Sequence, residues 1–349
     1  MPRTPSSIVV LLFTDLVGST ELLEALGEDA GEQLRRTHFS MLRDVVNARG
    51  GQEVKSLGDG LMVVFTSAVD ALGCAVAMQQ AVQGHDQLRS RVRVGLHVGE
   101  PIQDEDDYFG MPVVTATRLC SSAQGGQILA SDLVRRLVGS RGQYTFRDLG
   151  ALQLKGIAEP LAACEVAWEP EVAAPPSRPT AVRAFRTILF TDIHASGVLF
   201  QQIGDDRAWL IKQTWARMTR EAVEAHDGII VKELGDGALA SFLSATKAVE
   251  CAVSIQGGFA AQKEAEETQT QVKIGLNAGE PIVSDDDIFG SAVYLAKRIC
   301  DEAQPGQILV SEAVRQIVAG KEFLFADQGE TALRGFEDPV HLYEVRWRD

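Results

Sequence analysis

The sequence predicts two copies of one α+β domain in a single chain, and three observations lead to this conclusion. Whole segments recur, because VVLLFTDLVGST returns as RTILFTDIHASG and KSLGDGLMVVF returns as KELGDGALASF. Corresponding residues are separated by a constant offset, because Asp192 and Asp236 lie 177 positions after Asp15 and Asp59 respectively. Each copy also alternates β-branched runs with stretches of helical periodicity. A repeat of this length indicates that a whole domain, and not a solenoid unit, was duplicated.

The bounds of the two copies follow from the extent of the repeat. We expect domain 1 over residues 7–168 and domain 2 over residues 183–349. Residues 169–182 lie between them and begin EPEVAAPPSRPTA, a proline- and alanine-rich composition. Such a composition is typical of an exposed, semi-rigid linker.

The elements of the first copy follow from its periodicity and its turn residues. A β-branched run comes first, and apolar residues at helical spacing follow it until Gly50 and Gly51. The predicted order is strand Ile8–Phe13, helix to Gly50, two strands within Glu53–Phe65, helix Ser67–Gln83, strand Val92–Val98, helix Val113–Ser122 and closing strands. This βααββαβ-like order predicts a sheet with its helices on one face.

Composition argues against several classes of protein. The chain of 349 residues carries a formal net charge of −15, so no basic field exists to attract nucleic acid or an anionic membrane. The apolar runs have the length of strands, and the short polar N-terminus shows no signal peptide. Five cysteines without CxxC spacing indicate small buried residues in a reducing compartment. We therefore expect a cytoplasmic protein that binds neither nucleic acid nor membranes.

Two aspartates in each copy are candidate metal ligands. Asp15 ends an apolar strand and Asp59 lies in a Gly-Asp-Gly turn, so both carboxylates can meet at one edge of the sheet. Hard oxygen ligands of this kind suit Mg²⁺ or Mn²⁺. A single Asp-Gly pair would be explained as a turn alone. The recurrence of both residues as Asp192 and Asp236 favours a metal site.

The residues after Asp15 are a candidate phosphate-binding loop. They open a helix, and the first N–H groups of a helix are free to bind an anion. The loop comprises Leu16, Val17, Gly18, Ser19 and Thr20.

Three further charged positions recur in both copies. Lys55 and Lys232 precede the turn aspartates on otherwise apolar strands, where a solvated edge lysine is the alternative. Acidic runs end at Asp107 and Asp287, and solvated loops are the usual explanation of such runs. The third pair is Arg118 and Arg298, which lie in predicted helices eleven residues after Asp107 and Asp287.

Taken together, FTDLVGST, KSLGDG, DDYFG, TATRL and GGQILAS form an ordered set that resembles the class III adenylate/guanylate cyclase family. The resemblance covers nearly the whole chain, once in each copy. It implies a ferredoxin-like fold for each copy and head-to-tail pairing of the two as a pseudo-heterodimer within the chain. A homodimer that exchanges domains between two chains is the alternative.

The resemblance also implies two unequal active sites, each with two Mg²⁺ or Mn²⁺ ions. One domain would supply the metal aspartates and the phosphate loop, and the other would supply the base-reading pair and the transition-state arginine. Site one would comprise Asp15, Asp59, residues 16–20, Lys232, Asp287 and Arg298; site two would comprise Asp192, Asp236, Lys55, Asp107 and Arg118.

The base-reading pair indicates ATP as the substrate. Adenine presents an acceptor at N1 and a donor amine at N6, which suit a lysine and an aspartate. Guanine reverses both polarities, and each buried mismatch costs on the order of 1–3 kcal/mol. The predicted reaction is intramolecular phosphoryl transfer that yields cyclic AMP and pyrophosphate.

The sequence departs from the family pattern at the ribose-orienting asparagine, which is Val114 in one copy and Tyr294 in the other. The phosphate loop of copy two is also altered, over residues 194–197. We therefore expect turnover at site one and a degenerate, regulatory pocket at site two. The alternative is a non-catalytic nucleotide sensor. A diguanylate-cyclase-like enzyme is discounted because its Gly-Gly-acidic-acidic-Phe signature is absent from the sequence.

Overall fold

A computed structural model of the chain describes residues 7–19, 26, 28–85, 88, 92–139, 141, 144–168, 184–193, 205–234, 237–266, 271–284 and 287–348. The chain divides into two compact units, Met1–Thr180 and Ala181–Asp349. The division falls within the linker that the sequence predicts. Residues 169–183 themselves lie outside the described part of the chain.

Unit 1 follows the order expected from the sequence, with additions. A short hairpin precedes the third described helix, and a short helix follows the seventh strand. The strands are β1 Val9–Leu16, β2 Gln52–Leu57, β3 Gly60–Phe65, β4 Val92–Gly99, β5 Ile102–Asp104, β6 Asp107–Phe109, β7 Ile128–Ser131, β8 Phe146–Leu152 and β9 Leu161–Val166. The helices are α1 Glu28–Ala48, α2 Ala68–Gln83, α3 Met111–Ser122 and α4 Asp132–Val138.

Unit 2 repeats this order element by element. Its strands are β10 Arg186–Ile193, β11 Ile229–Leu234, β12 Gly237–Phe242, β13 Val272–Gly279, β14 Ile282–Ser284, β15 Asp287–Phe289, β16 Ile308–Ser311, β17 Leu324–Thr331 and β18 Val340–Arg346. Its helices are α5 Asp205–Ala225, α6 Ala245–Glu266, α7 Ser291–Glu302 and α8 Glu312–Ile317. The duplication predicted from the sequence is therefore present in the secondary structure.

Each unit contains a seven-stranded sheet with the same strand order. The order is β2-β3-β1-β4-β7-β9-β8 in unit 1, and the corresponding strands follow the same order in unit 2. The β4–β7 pair is parallel, whereas β1 is antiparallel to both β3 and β4. Strand β1 is thus central and buried, and its C-terminal end lies beside the β2–β3 turn.

Helices cover both faces of the sheet in unit 1, and the expectation of helices on one face was wrong. Met62 and Val64 of β3 belong to a core cluster with Ala116 and Cys120 of α3. The ring of Phe65, on the opposite face by strand alternation, lies beside Gly51 just after α1. The continuous apolar run Val9–Phe13 of β1 accounts for the difference, because a strand that is buried on both faces shows no polar alternation.

The five cysteines are free and buried, which agrees with a packing role. Burial raises the pKa of each thiol to about 12, so the thiols remain protonated at neutral pH. Among the described residues, no helix is both long enough and apolar enough to cross a membrane.

A close contact between β4 and α3 makes a glycine necessary. A Cβ at Gly95 would lie 2.2 Å from the Cys120 backbone nitrogen and 2.7 Å from the Ala116 carbonyl oxygen. We therefore expect Gly95→Ala to lower the free energy of unfolding by about 1–3 kcal/mol, measured by urea denaturation. The matched control is Gly84→Ala, because no atom lies within 4 Å of a Cβ at that position. Equal stabilities of the two variants would contradict the proposed contact.

Candidate functional site

The end of β1 and the β2–β3 turn are held together by their backbones. A Cβ at Gly60 would lie 1.9 Å from the Thr14 carbonyl oxygen, so only glycine allows this approach. The Leu61 N–H donates to Thr14 Oγ1 at 2.9 Å. Gly58 has a φ of 69°, which completes the turn around Asp59. The turn aspartate is thereby placed next to Asp15.

The carboxylates of Asp15 and Asp59 interact directly, as the sequence predicts. Burial raises the pKa of Asp59, a hydrogen bond from Ser19 opposes that change, and the nearby Asp15 raises the pKa further. Two adjacent acidic groups at a partly buried sheet edge favour the binding of a cation. Within the described residues, no cluster of three or more histidine, cysteine or acidic side chains forms a candidate metal site.

Arg93 is a site residue that the sequence reasoning missed. Strand register places it opposite Asp15, and its Nε donates to Asp15 Oδ2 at 2.8 Å. Its Nη1 donates to the Ser121 carbonyl oxygen at 2.9 Å, which ties the guanidinium to the end of α3. The available signal was a single arginine in the strand VRVGLHVG, whose only other polar side chain is His97.

The candidate phosphate loop is described in part. Leu16 ends β1, Val17 is exposed, Gly18 has a φ of 68° and Ser19 contacts Asp59. Thr20 lies outside the described residues, as does the altered loop over residues 194–197 of unit 2.

The corresponding edge of unit 2 has different charge partners. Asp192 lies near the end of β10, with Lys297 Nζ 4.0 Å from its Oδ2. Lys273 occupies the register position of Arg93, but it donates to the Asp301 carbonyl oxygen at 2.8 Å. The second predicted metal ligand, Asp236, lies outside the described residues.

The predicted base-reading residues meet in pairs within each unit. Lys55 Nζ lies 2.7 and 2.5 Å from the two carboxylate oxygens of Asp107, although 52 positions separate them in sequence. Lys232 Nζ lies 2.5 Å from Asp287 Oδ2. The lysine lowers the pKa of its partner in both cases. The hairpin β5–β6 and its counterpart β14–β15 bring the acidic residues to these positions, and the predicted solvated loops are therefore ordered strands at Asp107 and Asp287.

The predicted transition-state residues lie on α3 and α7. Arg118 Nε is buried and has no hydrogen-bond partner among the described residues. Arg298 Nη1 donates to Asp301 Oδ2 at 3.2 Å. One helical turn earlier, Val114 and Tyr294 are both exposed, the tyrosine by 67%.

Comparison with known proteins identifies the domain type. A family model described as the adenylate and guanylate cyclase catalytic domain matches residues 1–164 and 184–346. An adenylate cyclase of Mycosarcoma maydis is 34% identical over 169 residues, which is 40% of this chain and 7% of that protein. A Rhizobium meliloti (strain 1021) protein is 32% identical over 164 residues, or 46% of this chain and 28% of its own length.

A similar solved structure is the adenylate/guanylate cyclase/hydrolase from Silicibacter pomeroyi. It is 30% identical, with a TM-score of 0.43, over 47% of this chain and 98% of that chain. The chain spans well under two thirds of the two curated relatives named above.

Because the Asp15 and Asp59 carboxylates lie close together, we expect their repulsion to lower the free energy of unfolding when no metal is bound. At neutral pH and with a chelator present, we expect Asp59→Asn to raise the free energy of unfolding, because the neutral amide removes a repelled, partly buried charge. The raised pKa means that the folded state binds this proton more tightly. The gain should therefore shrink as the pH falls through the folded pKa and vanish below the ordinary value of 3.8.

Urea denaturation at several pH values measures this effect. Asp44→Asn, at an exposed position on α1, is the matched control and should show no such gain. Added Mn²⁺ should stabilise the unaltered chain more than Asp59→Asn. A less stable Asp59→Asn protein at neutral pH would show that the carboxylate is held by favourable contacts instead.

Proposed function

The chain belongs to the adenylate and guanylate cyclase catalytic-domain family, and on that premise we propose that it is an adenylate cyclase that converts ATP to 3′,5′-cyclic AMP and pyrophosphate. The observation that carries the choice of ATP is the lysine–aspartate pair in each unit, Lys55 with Asp107 and Lys232 with Asp287. Both pairs present one donor and one acceptor side by side at a partly exposed position.

The pair matches the edge of adenine in its polarity. The lysine would donate to N1 and the aspartate would accept from the N6 amine. Guanine would place its N1–H against the ammonium and its O6 against the carboxylate. Two mismatched pairs would cost on the order of 2–6 kcal/mol in total, which is enough to select between the nucleotides.

The donor set at Asp15 and Asp59 is consistent with a hard divalent cation. Both ligands are carboxylates, and Asp59 is held where its ionisation is opposed by burial and by Asp15. When bound, Mg²⁺ or Mn²⁺, two ions per site, would lower the pKa of the ribose 3′-hydroxyl and offset the phosphate charge. Ser19 and the loop N–H groups would orient the phosphates beside these carboxylates.

The remaining groups of site one belong to unit 2, and pairing of the units is part of the proposal. Lys232 and Asp287 would orient the base, and Arg298 would stabilise charge on the transferring phosphoryl group. Tyr294 would lie near the ribose, where its hydroxyl can hydrogen-bond. Pairing between two chains by domain exchange would assemble the same groups.

Site two is proposed as the degenerate one. It would use Asp192 and Asp236 with Lys55, Asp107 and Arg118, and with an altered phosphate loop. Val114 offers no hydrogen-bonding group to the ribose. A misplaced 3′-hydroxyl costs on the order of a hundredfold in rate, so this site would bind nucleotide with little turnover.

A nucleotide-binding sensor without catalysis is the competing function. It is favoured by one observation, that neither Val114 nor Tyr294 supplies the amide found at this position in the family. The orphaned Nε of Arg118 fits both functions, because a bound phosphate satisfies it in either case.

The first experiment measures cyclic nucleotide formation from ATP and from GTP, with Mg²⁺ or Mn²⁺. We expect metal-dependent cyclic AMP, reduced to background in Asp15→Ala and in Asp59→Ala, because each variant removes a metal ligand. The matched variant Asp236→Ala, at the corresponding position of site two, should retain most of the activity.

Equal loss in Asp59→Ala and Asp236→Ala would contradict the assignment of turnover to site one. Metal-dependent ATP binding without product from either nucleotide would exclude cyclase activity and support the non-catalytic nucleotide-binding sensor.

Reversal of the base-reading pair tests the choice of substrate. We expect the double variant Lys232→Glu with Asp287→Lys to lower the ATP preference in kcat/KM by roughly 30-fold to 10⁴-fold, because it inverts both polarities and keeps the net charge. The same exchange at Lys55 and Asp107 is the matched control and should change the preference little. An unchanged preference in the first variant, with native circular dichroism, would show that this pair does not contact the base.

A further inference from the structure

The outer hairpin of unit 2, formed by β17 and β18, carries a group of polar side chains that the proposed reaction does not use. Strand β17 is at the edge of the sheet and pairs with β18 alone. His341 of β18 lies opposite Glu330 of β17 in the strand register, and Asp327 lies three residues before Glu330. The imidazole is thereby placed between two carboxylates of the neighbouring strand.

Both ring nitrogens of His341 face a carboxylate. Nε2 lies 2.7 Å from Asp327 Oδ1, and Nδ1 lies 3.3 Å from Glu330 Oε1. A neutral imidazole has one N–H and can donate to one of these oxygens, whereas its other nitrogen would present a lone pair to the second carboxylate. Only the protonated ring donates to both. The hydrogen bond to Asp327 raises the pKa of His341, and Glu330 raises it further, although partial burial opposes them.

The other neighbours of His341 are consistent with a protonated ring. The imidazole stacks on the ring of Tyr343, with 4.8 Å between centroids and 19° between planes, and the face of a phenol ring attracts a cation. Arg315 Cζ of α8 lies 4.7 Å from the centroid of the same phenol ring, and its charge also attracts Asp327. Helix α8 further contains Glu312, which accepts from a side-chain amide at 2.9 Å, and β16, the other neighbour of β18, has no charged residue. Acidic groups therefore outnumber cationic ones around the imidazole.

Unit 1 has the same hairpin without the imidazole or the second carboxylate. The register pair at this point of β8 and β9 is Ala151 with Ala162. The first carboxylate is kept, because Asp148 and Asp327 each accept from the backbone N–H two residues later at 2.7 Å. This carboxylate thus has a backbone role in both units, and the histidine with its second acceptor is specific to unit 2 at this position.

We propose that His341, Asp327 and Glu330 form a proton-dependent clasp, in which the protonated imidazole joins β18 to the edge strand β17 and the neutral ring releases one of the two contacts. The clasp gives unit 2 a pH-sensitive edge that the corresponding hairpin of unit 1 does not have. An edge strand that is bonded on one side opens readily, so a side-chain contact there changes its opening equilibrium. The clasp is independent of the proposed cyclase reaction, because none of its residues belongs to either proposed site.

The clasp has a defined pH range. Folding raises the pKa of His341, so its stabilising effect is complete below the ordinary value of 6.5 and is lost as the pH rises through the folded value. The pKa of Asp327 is lowered, first by the Gly329 N–H and then by His341, so its effect is complete above the ordinary value of 3.8 and is lost as the pH falls through the folded value. The clasp is therefore fully closed between pH 3.8 and pH 6.5 and opens on the alkaline side.

The first test uses the full chain without nucleotide or metal. In carbon-13 spectra of its six histidines, the His341 ring should titrate with a midpoint above 6.5. Hydrogen exchange should show protection factors in β17 that fall roughly twofold to fivefold between about pH 5.5 and about pH 8, which is the size expected for partly exposed ion pairs. The corresponding strand β8 is the internal reference and should show no such fall. A His341 midpoint at or below 6.5, or equal pH dependence in β17 and β8, would overturn the proposal.

Matched variants separate the clasp from a general effect of charge. Glu330→Gln removes one acceptor charge, and it should lower the His341 midpoint toward 6.5 and reduce the fall in β17 protection. Glu344→Gln removes the same charge from the opposite face of β18 and should change neither quantity. His341→Ala, which copies the residue of unit 1, should abolish the pH dependence of β17. Equal effects of the two glutamate variants, or unchanged pH dependence in a folded His341→Ala protein, would also exclude the clasp, and the titration of the unaltered chain needs no variant to fold.

Discussion

The contact between the β2–β3 turn and the end of β1 is the constraint on which the site depends. Gly60 approaches the Thr14 carbonyl so closely that no side chain fits, and Thr14 also accepts from the Leu61 N–H. The backbone therefore forces the Asp15 and Asp59 carboxylates together, and their repulsion has to be offset locally. Arg93 and Ser19 do so in part, and a bound cation would do so more completely.

The two units share their packing residues and differ in the charge partners of Asp15 and Asp192. Gly95 and Gly275 both lie against the backbone of the helix that follows, at Cys120 and Cys300 respectively. By contrast, the arginine that pairs with Asp15 has a lysine at its register position in unit 2, and that lysine binds a carbonyl instead. A fold tolerates such changes because an ion pair at a partly exposed sheet edge contributes modestly to stability, whereas a closed backbone contact admits no alternative.

Periodicity and the repeat predicted the order of the main elements and the closeness of Asp15 to Asp59, because a strand end and a hairpin turn can be recognised from local sequence. The role of these aspartates as metal ligands stays a prediction. The meeting of Lys55 with Asp107 could be expected only through the family, since 52 residues separate them. The pairing of Arg93 with Asp15 could not be predicted, because it depends on strand register. The helices on both faces of the sheet were not predicted, because the apolar sequence of a buried strand does not indicate which elements pack against each face. The hydrogen bond from His38 to the Asp59 carbonyl oxygen depends on how α1 packs against the turn, which no pattern in the sequence indicates.

The divergence of the two units has a physical logic at the position of His38 and Trp215. Both side chains are buried, and each has one ring nitrogen without a hydrogen-bond partner among the described residues, His38 Nδ1 and Trp215 Nε1. An unpaired buried nitrogen lowers stability in either case, so this cost does not distinguish the two residues. The histidine differs in its second ring nitrogen, because Nε2 donates to the Asp59 carbonyl oxygen at 3.0 Å and joins α1 to the turn that carries a candidate metal ligand. This hydrogen bond occurs in the unit with the unaltered phosphate loop, where the position of Asp59 matters most for the proposed reaction.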